Sequence, residues 1–137
     1  MNKRKVEQLL PKAVKVLDDD KFKIKDSDDQ GNFIEKGFRS QISSFGAAVT
    51  MGSFRAAVAF FANDGESGVK RSKLICIIYY IITGEDQVTA QDIAKKIASL
   101  SSDEEAKMKE NFINASIALK LALNAFRLDE KSKPKNK

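Results

Sequence analysis

The sequence of 137 residues contains no histidine and only one cysteine. Histidine is the side chain that most often moves protons at neutral pH and is the commonest transition-metal ligand, so its absence removes the usual centre of acid–base catalysis. Cys76 alone can form neither an intramolecular disulfide nor a zinc site, and its position in an apolar run is typical of a small core residue in a reducing compartment. No glycine-rich phosphate loop is present either. We therefore expect a protein that binds rather than catalyses and that uses no cofactor.

Proline, glycine and long apolar runs are also scarce. The chain has two prolines and seven glycines, a composition that favours helices over a turn-rich all-β fold. Its apolar runs fall short of the roughly 20 residues that a membrane span needs, and its N-terminus lacks the apolar core and cleavage site of a secretory signal. A chain of this length forms one domain that buries about two-thirds of the surface its unfolded form exposes. We expect a soluble, cytoplasmic protein without membrane contact.

Helical periodicity is what the sequence has instead. Residues 3–17 form an amphipathic pattern, in which Pro11 is expected to cause a bend or an early break. In residues 38–61 apolar side chains recur every three or four positions and fill both faces in the second half, so a single central, buried helix is predicted. The apolar run within residues 69–83 is β-branched enough for a strand. We predict a helix there, ending at Gly84, because a lone strand would leave its backbone groups unpaired.

Two further helix starts complete the predicted fold. Thr89 and Ser102 each resemble a helix N-cap, the second with Glu105 in a capping box, and the helix that follows is predicted to reach about residue 128. Residues 129–137 are charged and have no apolar side chain, so they are predicted to form a disordered basic tail. The expected fold class is all-α: a compact single-domain bundle of about five or six helices around a central buried helix, over residues 1–128.

Acidic residues concentrate in the polar connection over residues 18–35. Part of this connection imitates a calcium loop, with Asp26, Asp28 and Gln30 at ligand positions. The position at which a calcium loop has its bidentate glutamate is Gly37, so we expect a solvated acidic loop and no metal site. A metal-dependent nuclease ranks third among the hypotheses, because the run lacks a second acidic cluster on a rigid element.

Basic residues dominate elsewhere, and the net charge is +5. Residues 36–62 contain no acidic side chain, and blocks of alternating sign suggest one side that faces a polyanion and another that meets a basic partner. The cations that we predict to bind nucleic acid are Lys36, Arg39, Arg55, Lys70, Arg71 and Lys73, with Lys5, Lys12 and Lys15 as a second candidate face. Arg55 stays open, because it can either reach a phosphate or pair with an acid inside the fold. No aromatic side chain is placed by its pattern to stack on a base, so sequence-independent, salt-sensitive contacts to the RNA backbone are expected.

The segment ISSFGAAVTMGSFRAAVAFFANDGESGVKRSKLICIIYYIITGE resembles the small helical subunit of the type III-B CRISPR effector, the Cmr complex. The shared feature is a glycine followed by a small, apolar helix that ends in Ala-Phe, here Gly52 through Ala59 and Phe60. The order, size and charge of the other predicted helices extend the resemblance to most of the chain, up to about residue 128. Ser53 departs from it, since the family usually has leucine after the glycine.

The resemblance implies a non-catalytic, all-α subunit that acts in antiviral defence. Members of the family stack in several copies as a minor filament beside the guide-RNA backbone filament, under the large subunit, and help to hold guide and target RNA. The implied partners are therefore both RNA strands, the other effector subunits and copies of the chain itself. No contact residue follows from the resemblance, so the assignment of the cations named above as RNA contacts is based on charge alone. The alternative hypothesis is a helical protein–protein adaptor that self-associates or bridges acidic partners without binding RNA.

Overall fold

The computed structural model describes residues 2–18, 33–64, 71–125 and 127–129, and within these ranges the chain forms six α-helices. The helices are α1 (Lys3–Asp18), α2 (Lys36–Met51), α3 (Phe54–Ala62), α4 (Arg71–Thr83), α5 (Ala90–Ala98) and α6 (Ser102–Ala122). A short 3-10 helix over Leu123–Ala125 follows α6. Two strands of three residues each, β1 (Phe33–Glu35) and β2 (Arg127–Asp129), pair in parallel and join the segment before α2 to the segment after α6. The prediction of an all-α bundle is confirmed.

The centre of the bundle is α4, which contacts every other helix. Its buried side chains cover more than half of its circumference: Leu74, Ile75, Ile77, Ile78, Tyr79 and Ile81. Because neighbouring helices bury most of its surface, burial outweighs the local preference of β-branched residues for a strand, and the predicted helix is confirmed. Gly84 ends it in the left-handed conformation with φ of 82°, and its N–H donates to the Tyr80 carbonyl at 2.8 Å.

The single central helix predicted over residues 38–61 is wrong, because the chain breaks at Gly52 and Ser53. Ser53 has an extended backbone and acts as the N-cap of α3, where its side chain accepts from the Ala56 N–H at 3.1 Å. Glycine is a poor helix former and serine a good N-cap, so Gly52 and Ser53 together favour the end of one helix and the start of another. The break turns two large apolar residues outward: Met51 is 86% exposed and Phe60 is 59% exposed.

Four phenylalanines from three helices form the aromatic part of the core. Phe45 of α2 meets Phe61 of α3 edge to face with ring centroids 5.2 Å apart. Phe112 of α6 lies 5.1 Å from Phe54 and 6.1 Å from Phe45 by the same measure. Edge-to-face rings add a specific attraction of about 1 kcal/mol per pair to the burial of apolar area. These contacts hold α2 and α3 on α6 on either side of the break.

The first helix runs without interruption past Pro11, so of the bend or early break predicted there the break is wrong and the bend stays a prediction. Val6, Ala13 and Leu17 are buried, α1 packs along α6, and Pro11 itself is exposed. Packing of the apolar face on α6 therefore outweighs the loss of one backbone hydrogen bond at the proline. Ahead of α1, the Asn2 N–H donates to the buried Asn114 side chain of α6 at 3.0 Å.

The caps of α5 and α6 follow the predicted chemistry. Thr89 caps α5 and accepts from the Asp92 N–H at 3.0 Å. The capping box of α6 is formed by Ser101 and Glu104, one residue earlier than predicted. The helix ends at Ala122 rather than near residue 128, since the chain leaves it for the 3-10 turn and β2.

Several predictions fall on parts of the chain that the structure does not describe. The predicted calcium-like pattern at Asp26, Asp28 and Gln30 lies outside the described residues, and so do residues 130–137 of the predicted basic tail. Among the described residues, no helix has the length and apolar character needed to cross a membrane. The same ranges hold no group of three or more potential metal ligands.

Candidate nucleic-acid interface

Arg55, one of the predicted RNA contacts, is half-buried and bound to other residues of the bundle. Its Nη2 donates to the Leu100 carbonyl and lies 3.6 Å from the Glu105 carboxylate. Leu100 and Glu105 flank the start of α6, so the arginine ties α3 to the turn between α5 and α6. Its Nε atom is buried with no hydrogen-bond partner. Of the two alternatives left open by the sequence, the structure therefore favours pairing with an acid.

Arg71 is held in a similar way at the start of α4. Its guanidinium carbon lies 4.3 Å above the centre of the Phe60 ring, and Nη2 donates to the Asn63 carbonyl. The neighbouring Ser72 binds the Asp64 carboxylate through its backbone N–H at 2.8 Å and through its hydroxyl at 3.0 Å. A carboxylate at the N-terminus of α4 offsets the unfavourable position of cations at the positive end of the helix dipole. The contacts of Arg71 are thus those of a residue that joins the end of α3 to α4.

The remaining cations of the first predicted set do not form a described cluster. Arg39 lies half-buried on α2, and Lys73 lies half-buried on α4, where it has an interaction within the fold. The side chain of Lys36 and all of Lys70 lie outside the described residues. These four residues stay predicted contacts.

The second predicted set lies together on one exposed face of α1. At 3.6 residues per turn, Arg4, Lys5, Gln8, Lys12 and Lys15 fall within a sector of about 100°, and all five are exposed. The carboxylates of α1, Glu7 and Asp18, fall outside that sector. The cations of this sector, Arg4, Lys5, Lys12 and Lys15, are called the basic α1 face below. From Arg4 to Lys15 the face is about 16 Å long, at 1.5 Å per residue.

A small depression lies at the end of the basic α1 face, where α1 packs against α4. It has a volume of about 200 Å³ and is lined by Lys12, Lys15, Val16, Tyr80, Ile81 and Gly84. Tyr80 is half-buried in the last turn of α4. Sequence reasoning missed this aromatic neighbour of the lysines because the whole apolar run of α4 was assigned to the core. The otherwise aliphatic run contains two tyrosines, and a tyrosine hydroxyl usually needs a hydrogen-bond partner or water. These tyrosines are the signal that could have shown that one side of α4 reaches the surface.

An apolar groove between α2 and α6 is the second surface feature. It has a volume of about 360 Å³ and its lining includes Phe45, Gly46, Met51, Ile113, Ser116 and Lys120. The Ser116 hydroxyl is buried there without a hydrogen-bond partner. The exposed Leu121 lies one turn beyond Ile117, another lining residue, and so extends the groove. This groove is called the α2–α6 groove below.

Comparison of the chain with protein-family models, with characterised proteins and with solved structures gives no significant match. The resemblance to the Cmr small subunit therefore stays a prediction that rests on the residues quoted above.

Proposed function

We propose that this protein is a non-catalytic small subunit of a type III-B CRISPR effector complex and helps to bind guide and target RNA in antiviral defence. The observation that carries RNA binding is the basic α1 face, whose cations are exposed and share one side of one rigid helix. The proposed partners are the two RNA strands, the other subunits, including the large one, and further copies of the chain. The resemblance of residues 42–85 to that family supplies the choice of complex.

The basic α1 face suits a phosphate backbone better than it suits a base edge. Lysine offers a flexible point charge with three donors, which binds phosphate without reading sequence. Release of counterions makes such binding strongly salt dependent. For single strands, the logarithm of the binding constant falls with the logarithm of the salt concentration with a slope of about −0.7 per phosphate bound. If each cation of the face neutralises one phosphate, affinity falls roughly 50-fold between about 50 mM and about 200 mM salt.

The contacts of Arg55 and Arg71 shift the proposed interface towards α1. Both guanidinium groups bind main-chain carbonyls of the bundle, so a phosphate would have to compete with those bonds. The lysines of α1 face no such competition from a carboxylate in their own sector of the helix. Arg39, Lys36, Lys70 and Lys73 remain proposed additional contacts.

The decisive experiment compares two double charge reversals by fluorescence anisotropy with a labelled single-stranded RNA. Lys12→Glu with Lys15→Glu changes the basic α1 face, and Lys95→Glu with Lys107→Glu makes the same change of net charge on exposed positions of α5 and α6. We expect the α1 variant to lose at least about tenfold in affinity at low salt, and the control variant to stay close to wild type.

An equal loss in both variants would show that net charge alone attracts the RNA and would remove the assignment to α1. Absence of RNA binding by the wild-type protein at low salt would overturn the RNA-binding function. Membership of the complex has its own test, a pull-down from the native host that asks whether guide RNA and the other effector subunits come with the protein.

A protein–protein adaptor is the second candidate, and the α2–α6 groove favours it. Exposed Met51 and Leu121 beside an apolar cleft form the kind of surface that soluble chains use for helix-in-groove contacts. Met51→Glu would then abolish self-association in sedimentation experiments, whereas the double reversal at Lys12 and Lys15 would leave it unchanged. Self-association together with a failure to bind RNA at low salt would favour the adaptor over the RNA-binding subunit.

A further inference from the structure

We infer that the depression between α1 and the last turn of α4 is a pocket for one unpaired nucleotide of a single-stranded RNA. The inference rests on the proposed RNA binding and adds to it the form of the RNA and the place of one base. It is carried by a juxtaposition of two lysines, one tyrosine and an apolar floor in one small cavity.

The size and lining of the cavity fit a single planar ring. Its volume of about 200 Å³ is below the roughly 300–1,000 Å³ of sites that hold drug-sized ligands. Val16 and Ile81 are almost fully buried and give the cavity an apolar floor. Lys12 and Lys15 are exposed, so the positive charge lies at the rim.

Tyr80 supplies the component that a purely electrostatic site lacks. Sites for single-stranded nucleic acid combine cations that follow the backbone with aromatic side chains on which bases stack. In a duplex the faces of the bases are hidden by stacking, so a duplex could use the lysines of the rim and could not use the tyrosine. A pocket with both components therefore favours a single strand.

The end of α4 gives the pocket a direction. Ile81 and Gly84 place the C-terminal end of α4 at the pocket. This is the negative end of the helix dipole, which attracts the lysine ammonium groups and disfavours a phosphate. The base would therefore lie towards the end of α4, and the phosphates would stay outside on Lys12 and Lys15. Gly84 leaves the entrance open, since even a Cβ atom there would meet nothing within 4 Å.

The test uses the full chain and one RNA sequence of roughly ten nucleotides, as a single strand and as a duplex, with 2-aminopurine replacing one base. Tyr80→Leu keeps an apolar side chain and removes the aromatic face, and Tyr80→Phe keeps the face and removes the hydroxyl. Circular dichroism and thermal unfolding verify that each variant is folded. Lys12→Gln serves as the matched change at the rim.

We expect wild-type protein to bind the single strand more tightly than the duplex and to change the 2-aminopurine fluorescence of the single strand. Tyr80→Leu should lose fivefold or more in affinity for the single strand, roughly the contribution of one stacked base, and should leave duplex binding unchanged. Tyr80→Phe should keep the single-strand affinity. Lys12→Gln should weaken both forms.

Equal binding of single strand and duplex, with no effect of Tyr80→Leu, would overturn the pocket. If Lys12→Gln still weakens the binding of both forms, the proposed RNA-binding function would stand. Failure of the wild-type protein to bind either form at low salt would overturn both. A Tyr80→Leu variant that loses single-strand and duplex binding to the same extent would also overturn the pocket, because a stacked base cannot account for that result.

Discussion

Replacement of Phe60 and Phe61 by alanine, one at a time, tests how α3 is seated in the bundle. The two residues are consecutive, yet Phe61 is 4% exposed and Phe60 is 59% exposed. Phe61→Ala removes a buried ring that meets Phe45 at 5.2 Å, and such a truncation costs about 4 kcal/mol of unfolding free energy. Phe60→Ala removes an edge contact with Phe61 and the ring beneath the Arg71 guanidinium, which together amount to about 1.5 kcal/mol.

Equilibrium unfolding in urea, followed by circular dichroism, measures the difference. With a denaturant slope of about 2 kcal/mol per molar, the midpoint of Phe61→Ala should lie roughly 1.2 M below that of Phe60→Ala. Since domains of this size are stable by only about 5–15 kcal/mol, Phe61→Leu provides a milder variant if Phe61→Ala fails to fold. Equal costs at the two positions, or a larger cost at Phe60, would show that α3 is rotated from the orientation described and would refute the break at Ser53.

Three further predictions concern single side chains. Ser53→Ala removes the N-cap of α3 and should lower the unfolding free energy by about 1 kcal/mol in the same urea assay, whereas Ser53→Asn should stay close to wild type. Burial, with a smaller contribution from Asp64, raises the pKa of the Cys76 thiol, so iodoacetamide should alkylate the folded protein at neutral pH more slowly than the urea-unfolded protein, and equal rates would contradict this. Hydrogen bonds from the Ser101 backbone and side chain hold the pKa of Glu104 below its usual range. The stability that this carboxylate adds is therefore fully present above its pKa in the unfolded chain and is lost as the pH falls through its lower pKa in the folded protein. Thermal unfolding across mildly acidic buffers should show a smaller pH dependence for Glu104→Gln than for wild type.

Signals from residues close together in the sequence were sufficient to predict most of the helices. The caps of α5 and α6, and Gly84 at the end of α4, are set by residues within a few positions of one another, so their chemistry is legible in the sequence. The break at Ser53 was missed although Gly52 and Ser53 signal it. The apolar spacing continues in phase across the two residues, so periodicity alone could not reveal that the chain restarts there.

The candidate interface was harder to predict because its geometry depends on contacts between distant parts of the chain. Arg55 finds its partners at Leu100 and Glu105, and no spacing in the sequence states that proximity. The same is true of Tyr80, which lines one depression together with Lys12 and Lys15 because α1 packs against α4. The exposure of the lysines on α1, by contrast, follows directly from the amphipathic pattern of one helix.

The N-cap at Ser53 also has a consequence for how the molecule opens. Because the Ser53 side chain accepts from the Ala56 N–H, α3 has a start of its own and does not continue α2. We therefore expect the two helices to open as separate units of local unfolding. α2 forms one wall of the α2–α6 groove, whereas α4 contacts each of the other five described helices. We expect the amide hydrogens of α2 to exchange with solvent well before those of α4, so that the helix nearest the apolar groove is the one that can move to admit a partner while the remainder of the bundle stays closed.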